Sequence, residues 1–503
     1  AIAADDGFAE AYYSRGQAHL RLGELEQARR DFDRAIALCP EWADAYLGRG
    51  QVRQETGDLE GAARDFGDVL LKTGKRGTLV AAGLSLGLIQ RELGNLQASV
   101  DAFEQVITLD SSNPVALHGR GLTRHLQGEL GEAITDLDRA IALAPADSSA
   151  FRDRAMVHHA RDDFQSAIAD CDQALALNPK DARIWCARGV VRHAQQELEA
   201  AIADFDHGIE LEPEDGTLFR CRGLAYLAQG DRVAALADLD KALSLNPQDA
   251  ETHAWRGNAL LEEGRLEAAL AEYDQALVLD PQNGLAYHNR GLVRVRLGNL
   301  QGAIADYDQA VVLGPEDPRA YHDRGLARYA QGEFEAAIAD YDRALLLEPG
   351  CALTHYNLAL ARQAVGRAQA AIDDYDMALA LGYEDAALFN SRGLAYYALG
   401  RPELAIDDYD RAVGLCPEDG TAYRNRGLAR KARGDLEGAI SDFDRALSLD
   451  PQDLRALNNR GLARQDAGDI VGAVADYDAA IAVAEGTREA AAPYNNRGLA
   501  QHE

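Results

Sequence analysis

The sequence is poor in every feature that marks catalysis, membrane insertion or nucleic-acid binding. It contains no GxSxG, HExxH or CxxC, and no GxGxxG following a strand pattern, so the usual signatures of acyl transfer, zinc hydrolysis and dinucleotide binding are missing. "TGKRGT" at 73–78 lacks the upstream glycine spacing and the Ser/Thr after lysine of a phosphate loop, and reads as a solvent loop. No apolar run approaches the roughly 18–20 residues a membrane span needs. Positive charge is scarce: 51 Lys and Arg stand against 82 Asp and Glu, a net charge of −31 with no single-sign block. Such a chain repels phosphates, which excludes nucleic acid as an expected partner. The six cysteines are scattered, mostly where equivalent positions carry small or apolar residues. That use suits reduced thiols and a cytoplasmic setting. No cofactor is implied.

What is abundant is self-similarity. "NRGLAR" occurs at 425–430 and again at 459–464, with relatives at 119–124, 289–294 and 323–328. The glycine of this motif recurs every 34 residues, as at Gly291, Gly325, Gly393, Gly427 and Gly461, with Ala155 and Ala359 filling two slots. Two extra-length spacings coincide with insertions near 74–79 and 485–490. A small residue follows the marker by 12 positions, glycine usually by 7 and proline usually by 24. In 318–351, Tyr321, Gly325 and Arg328 share one helical face. Gly332 is placed to end that helix in the left-handed conformation. A second helix through Ala337, Tyr341 and Ala344 cannot pass Pro349. Gly325 is expected opposite Ala337, with Tyr321 and Tyr341 filling the wider ends of the wedge. A lone pair of this kind cannot bury its own apolar face, so pairs must stack.

This pattern resembles the tetratricopeptide repeat (TPR) family over essentially the whole chain, and the "NRGLAR…GAIADYDQAL" wording resembles bacterial, especially cyanobacterial-type, arrays. The resemblance implies an all-α fold, an α-solenoid (superhelix) of stacked antiparallel helix pairs. Fourteen full repeats are expected over 9–490, starting near 9, 43, 80, 114, 148, 182, 216, 250, 284, 318, 352, 386, 420 and 454. Residues 1–8 read as the end of a truncated preceding helix and its linker, and 491–503 as the first helix of a truncated further repeat.

Arginine stands before the marker thirteen times, from Arg15 to Arg497, with Leu86 and Leu358 as exceptions. The second helices carry a matching row of acids in "DYD" or "DFD". Two opposite rows at one period suggest a seam of Arg–carboxylate pairs. Arg324 is expected to meet Asp306 of the preceding repeat rather than Asp340 of its own.

The family resemblance places the concave, ligand-facing surface at slots 2, 5, 9, 12 and 13 of each repeat, with slot 6 beside them. Leucines at slot 9 and alanines at slot 13 make a shallow apolar floor. Arg152, His159, His193 and Arg220 stand on it toward the N-terminal half, and Tyr329, Tyr356, Asn390, Tyr397, Arg424 and Asn458 toward the C-terminal half. Apolar floor, aromatics and amides suit peptide segments of other proteins better than a metabolite. No lysine occupies slot 5, which disfavours a receptor for C-terminal carboxylates of chaperone tails. His125, His159 and His193 repeat too far apart to converge on one metal. The expected function is thus a non-enzymatic protein-interaction scaffold. The alternatives are the recruiting arm of a larger enzyme and a self-associating array. His118, His125, Arg152, His159, Arg183, His193 and Arg220 point to an acidic partner for the N-terminal third, with binding strengthening below about pH 6.5.

Overall fold

The computed structural model describes residues 7–484 and 490–502. Among them every regular element is a helix, twenty-nine in all, from Ala9–Arg21 to Ala491–Ala500. The chain divides into two compact units, Ala1–Trp255 and Arg256–Glu503, with the division inside the helix Ala250–Glu262. Within each unit consecutive helices pack as antiparallel pairs, and the second helix of one pair packs on the first of the next. The fold is an all-α solenoid. The helix remnant expected at 1–6 and most of the insertion at 485–490 lie outside the described residues.

Local chemistry sets the boundaries. Asp147, Asp181, Asp215, Asp317, Asp385 and Asp419 cap first helices, each side chain accepting the N–H two residues on. Such a cap typically stabilises a helix by ~1 kcal/mol over alanine. Pro318–Ala330 then ends at Gly332, whose φ of 83° is the left-handed stop. Asp162 and Gln196 replace that glycine in two repeats, and the chain still takes φ of 60° and 64° there, at a steric cost glycine would spare. The second helix Phe334–Leu347 stops two residues short of Pro349.

The core differs from the expected wedge. Tyr341 does not sit at its wide end; its ring lies flat on Gly325, where an added Cβ would come within 2.7 Å of the ring edge. The same contact recurs between Gly50 and Phe66, Gly189 and Phe205, Gly291 and Tyr307, and Gly461 and Tyr477, all at 2.6 Å. Tyr273, Tyr307, Tyr341, Tyr375, Tyr409 and Tyr477 are in consequence fully buried. Ala337 is also fully buried, beneath this contact.

The first insertion is also differently built. Residues 76–78 are not solvent loop but the added first turn of a 17-residue helix, Arg76–Glu92. Thr78 is buried there and donates its hydroxyl to Asp44 Oδ1 at 2.5 Å. That bond to the previous first helix pins the extra turn.

Gly325→Ala should therefore lower stability by about 1–2 kcal/mol, although alanine is the better helix former by about 1 kcal/mol. Adding Tyr341→Leu, which removes the ring that the new Cβ would meet, should make the double variant more stable than the sum of the single changes predicts. Chemical denaturation of the four proteins of that cycle gives the coupling; a value of zero would mean that ring and glycine do not constrain each other.

Candidate functional site

Two charge systems run along the array, and the structure separates them. On one side, most marker arginines clamp two second helices. Nε and Nη2 of Arg324 donate to Asp340 of its own repeat at 3.0 and 2.6 Å, while Nη1 donates to Asp308 of the preceding repeat at 2.7 Å. Arg49, Arg154, Arg188, Arg222, Arg290, Arg392, Arg426 and Arg460 repeat this double bridge. The expected pair with Asp306 is thus corrected: Asp306 binds Arg290. The reason is helical phase. The two acids of "DYD" are two residues and about 200° apart, so the first faces its own first helix and the second faces the next repeat. Asp340 is buried and also accepts from Arg328 at 2.9 Å. Hydrogen bonds to Asp170 hold the Arg154 guanidinium above its ordinary value against the cost of burial. Among the described residues the marker arginines of this seam are paired with carboxylates.

The other system lies on the first-helix face that carries the candidate residues. Here a junction recurs that joins slot 5 of one repeat to slot 6 of the next. His118 Nε2 lies 2.7 Å from Asp153, and His288 Nε2 lies 2.7 Å from Asp323. Asn425 donates to Asn390 at 2.9 Å, and Asn496 to Asn458 at 2.9 Å. Tyr356 and Ser391 occupy the same two slots. Sequence reading missed these pairs; their signal was complementary chemistry 35 residues apart, or 38 across the second insertion. Beside the His288–Asp323 pair, His322, Leu353 and Thr354 help line a cleft of about 240 Å³.

The arginines expected to form a basic row are all paired. Arg152 donates to Asp153 at 2.8 Å and lies 4.0 Å from Asp181. Arg183 pairs with Asp181 at 2.9 Å, and Arg220 with Glu251 and Asp249. Burial alone would raise the Asp153 carboxyl, but the His118 hydrogen bond and the Arg152 charge bring it below its ordinary value. The preference for an acidic segment therefore has no uncompensated arginine to rest on. His159 packs on Phe164, ring centres 5.9 Å apart. Burial holds His125, His159 and His193 below the ordinary histidine value, so any charging of this row begins below pH 6.5 rather than at it.

In the second unit the face is apolar and open. Leu326, Leu394 and Tyr397 are 39%, 37% and 37% exposed. Tyr329 stacks edge-on against Phe334 at 5.2 Å, and Tyr356 packs tilted against Tyr383 at 5.2 Å. Arg424 is tied to Asp453. No group of three or more His, Cys, Asp or Glu that could hold a metal occurs among the described residues, and no described helix is long and apolar enough to cross a membrane.

Family models described as tetratricopeptide repeat match 9–42, 84–148, 154–218, 217–249, 239–271, 288–350 and 386–419, and one described as TPR repeat matches 257–298 and 427–468. The chain belongs to the tetratricopeptide repeat family. This TPR chain finds no match among the curated proteins. Solved structures similar to it include YrrB, described as a TPR protein with an unusual peptide-binding site, at 27% identity over 37% of this chain and 95% of that one, with a TM-score of 0.33. A tetratricopeptide repeat protein from Parabacteroides merdae is 21% identical over 50% and 99%, with a TM-score of 0.37. The Cut9–Hcn1 hetero-tetramer of APC/C is 15% identical over 98% and 96%, with a TM-score of 0.45.

Two outcomes follow for this TPR array. Arg324→Ala should cost roughly 3 kcal/mol, the low end for removing one partner of a buried pair, because Arg328 still faces Asp340. Native-state hydrogen exchange should show the loss in Phe334–Leu347, and Arg324→Lys should recover little of it, since an ammonium cannot span both carboxylates. Unchanged protection in the alanine variant would mean the clamp contributes nothing. For the histidines, the folded values lie below the unfolded one, so the unfolded chain takes up protons first and stability falls as pH drops below about 6.5. Replacing His125, His159 and His193 by glutamine should flatten the fall in melting temperature between about pH 7 and pH 5; equal slopes would refute the assignment.

Proposed function

We propose that this array is a protein-interaction scaffold that holds an extended or helical segment of a partner protein in a groove on its first-helix face. The observation that carries the reading is the open strip of Leu326, Tyr329, Leu394 and Tyr397 in the second unit. Apolar and aromatic anchors flanked by amide groups are what a peptide site requires. Tyr356, Asn390 and Asn458 border the strip, and the amide pairs keep hydrogen-bonding capacity free for a peptide backbone. The arginines on this face are already neutralised, so the segment is apolar or mixed in character rather than strongly acidic. In the first unit, His159 and His193 form a secondary, neutral patch on the first-helix face of that unit. The role is binding rather than catalysis, in a bacterial, cyanobacterial-type array working in a reducing compartment.

A displayed peptide library selected on the full chain tests this. Binders should carry two or more apolar or aromatic residues, and their affinity should fall about tenfold or more on Tyr329→Ala plus Tyr397→Ala, with helical content retained. Binders that ignore these changes but are lost when Tyr321 and Tyr287, beside the arginine clamps, are replaced would place recognition on the opposite face and overturn the reading.

A further inference from the structure

The slot 5 to slot 6 junction takes a different form between the helices Ala182–Ala194 and Gly216–Gln229. Its two residues are Cys186 and Cys221. Both thiols are free, half-buried and packed against one apolar cluster with Ala182, Phe205 and Leu218. Equivalent positions elsewhere bring side-chain atoms to 2.7–2.9 Å of each other, and here the two thiols occupy the same junction and pack against the same cluster. Cysteine is the only residue pair at such a junction for which contact between side chains allows a covalent bond. We propose that Cys186 and Cys221 form a redox-active dithiol that low-molecular-weight disulfides oxidise to an intramolecular disulfide, clamping two consecutive first helices.

The chemistry balances. One thiol, after losing its proton to solvent, attacks a sulfur of RSSR; a protein–SR mixed disulfide forms and one thiolate leaves. The second protein thiol, likewise deprotonated, attacks the protein sulfur of that mixed disulfide, and the second thiolate leaves. Two protein thiols are oxidised and one RSSR is reduced to two RSH. The surroundings suit the first attack. The neighbouring Cys186 thiol lowers the Cys221 thiol, burial opposes it, and the Arg220 charge lowers it further against Asp215 and Asp249. Cys171 is the contrast: alone and fully buried in the core, its thiol is pushed up to about 12 by burial. Cys39 and Cys416 are exposed but have no described cysteine as neighbour. The proposal is independent of the peptide reading.

The test is to incubate the folded full chain with excess oxidised glutathione, and separately with the smaller oxidant diamide, then block remaining thiols and map peptides. The expected result is a cross-link between the peptides holding Cys186 and Cys221, reversed by dithiothreitol, with two fewer titratable thiols at those positions. Cys39 and Cys416 should carry single glutathionyl adducts. In Cys186→Ser the reaction should stop at an adduct on Cys221, with circular dichroism unchanged. Separate adducts on both cysteines of the native chain, or no cross-link with either oxidant, would overturn the proposal.

Discussion

The array depends on how closely two helices approach where an aromatic ring lies on a glycine. With a Cβ at Gly325 the Tyr341 ring could not stay where it is, and the separation of each pair is set by ring thickness rather than by side-chain bulk. The substitutions along the chain obey that limit. Where the marker is Ala155, the residue meeting it is not aromatic but Cys171. Where Leu137 and Leu239 replace the ring, glycine is kept and the backbone carbonyls of Ala133 and Ala235 come to 3.2–3.3 Å from the Cβ position. Ala359 is the exception, packed against Tyr375, whose hydroxyl bonds Gln363 at 2.7 Å.

That spacing brings the charged seam within reach. An arginine at the marker's shoulder can grip its own second helix in a bidentate fork and still reach back with its remaining nitrogen. The bridge is short and buried on its aspartate side, so its net energy is modest after desolvation. What it supplies is register, because each guanidinium reads two acids on opposite sides of successive helices. Leu86 coincides with Ala102 in the same repeat, so the arginine and the buried acid of the clamp are lost together there. Leu358 lacks that compensation. Asp374 keeps Arg362 at 2.6 Å, but burial raises its carboxyl above the ordinary value. The charged form is penalised in the folded state at neutral pH, and the penalty lifts as pH falls through the raised value.

Much of this was legible in the sequence because it is periodic. Glycine, small-residue and proline spacing located the helices, and matched rows of charge announced the seam. Which acid Arg324 meets was not legible, because a period of 34 places Asp306 and Asp340 at equivalent slots and only the helical phase of slots 23 and 25 separates them. The basic row around Arg152 and Arg220 misled for a different reason. Its neutralising partners, Asp153, Asp181 and Asp249, are helix caps and slot 6 residues whose side chains reach the face only once first helices stand side by side. Thr78 was hidden by a glycine- and lysine-rich insertion that reads as loop until Asp44 supplies a partner.

The division of labour between faces explains how one repeat can stay nearly constant while its surface does not. Slots 8, 20 and 24 are fixed by packing, and slots 7, 23 and 25 by the clamp, so a change at any of them has to be matched elsewhere. The slot 5 to slot 6 junction carries no such constraint on chemistry, only on reach. Histidine with aspartate and asparagine with asparagine satisfy it, and the same slots carry tyrosine with serine and cysteine with cysteine. Each choice closes the same gap between neighbouring first helices and leaves a different set of atoms on the face. Variation that is neutral for stacking is thus concentrated where a bound segment would touch the array, and differences in recognition along the chain can arise there without disturbing the solenoid that presents them.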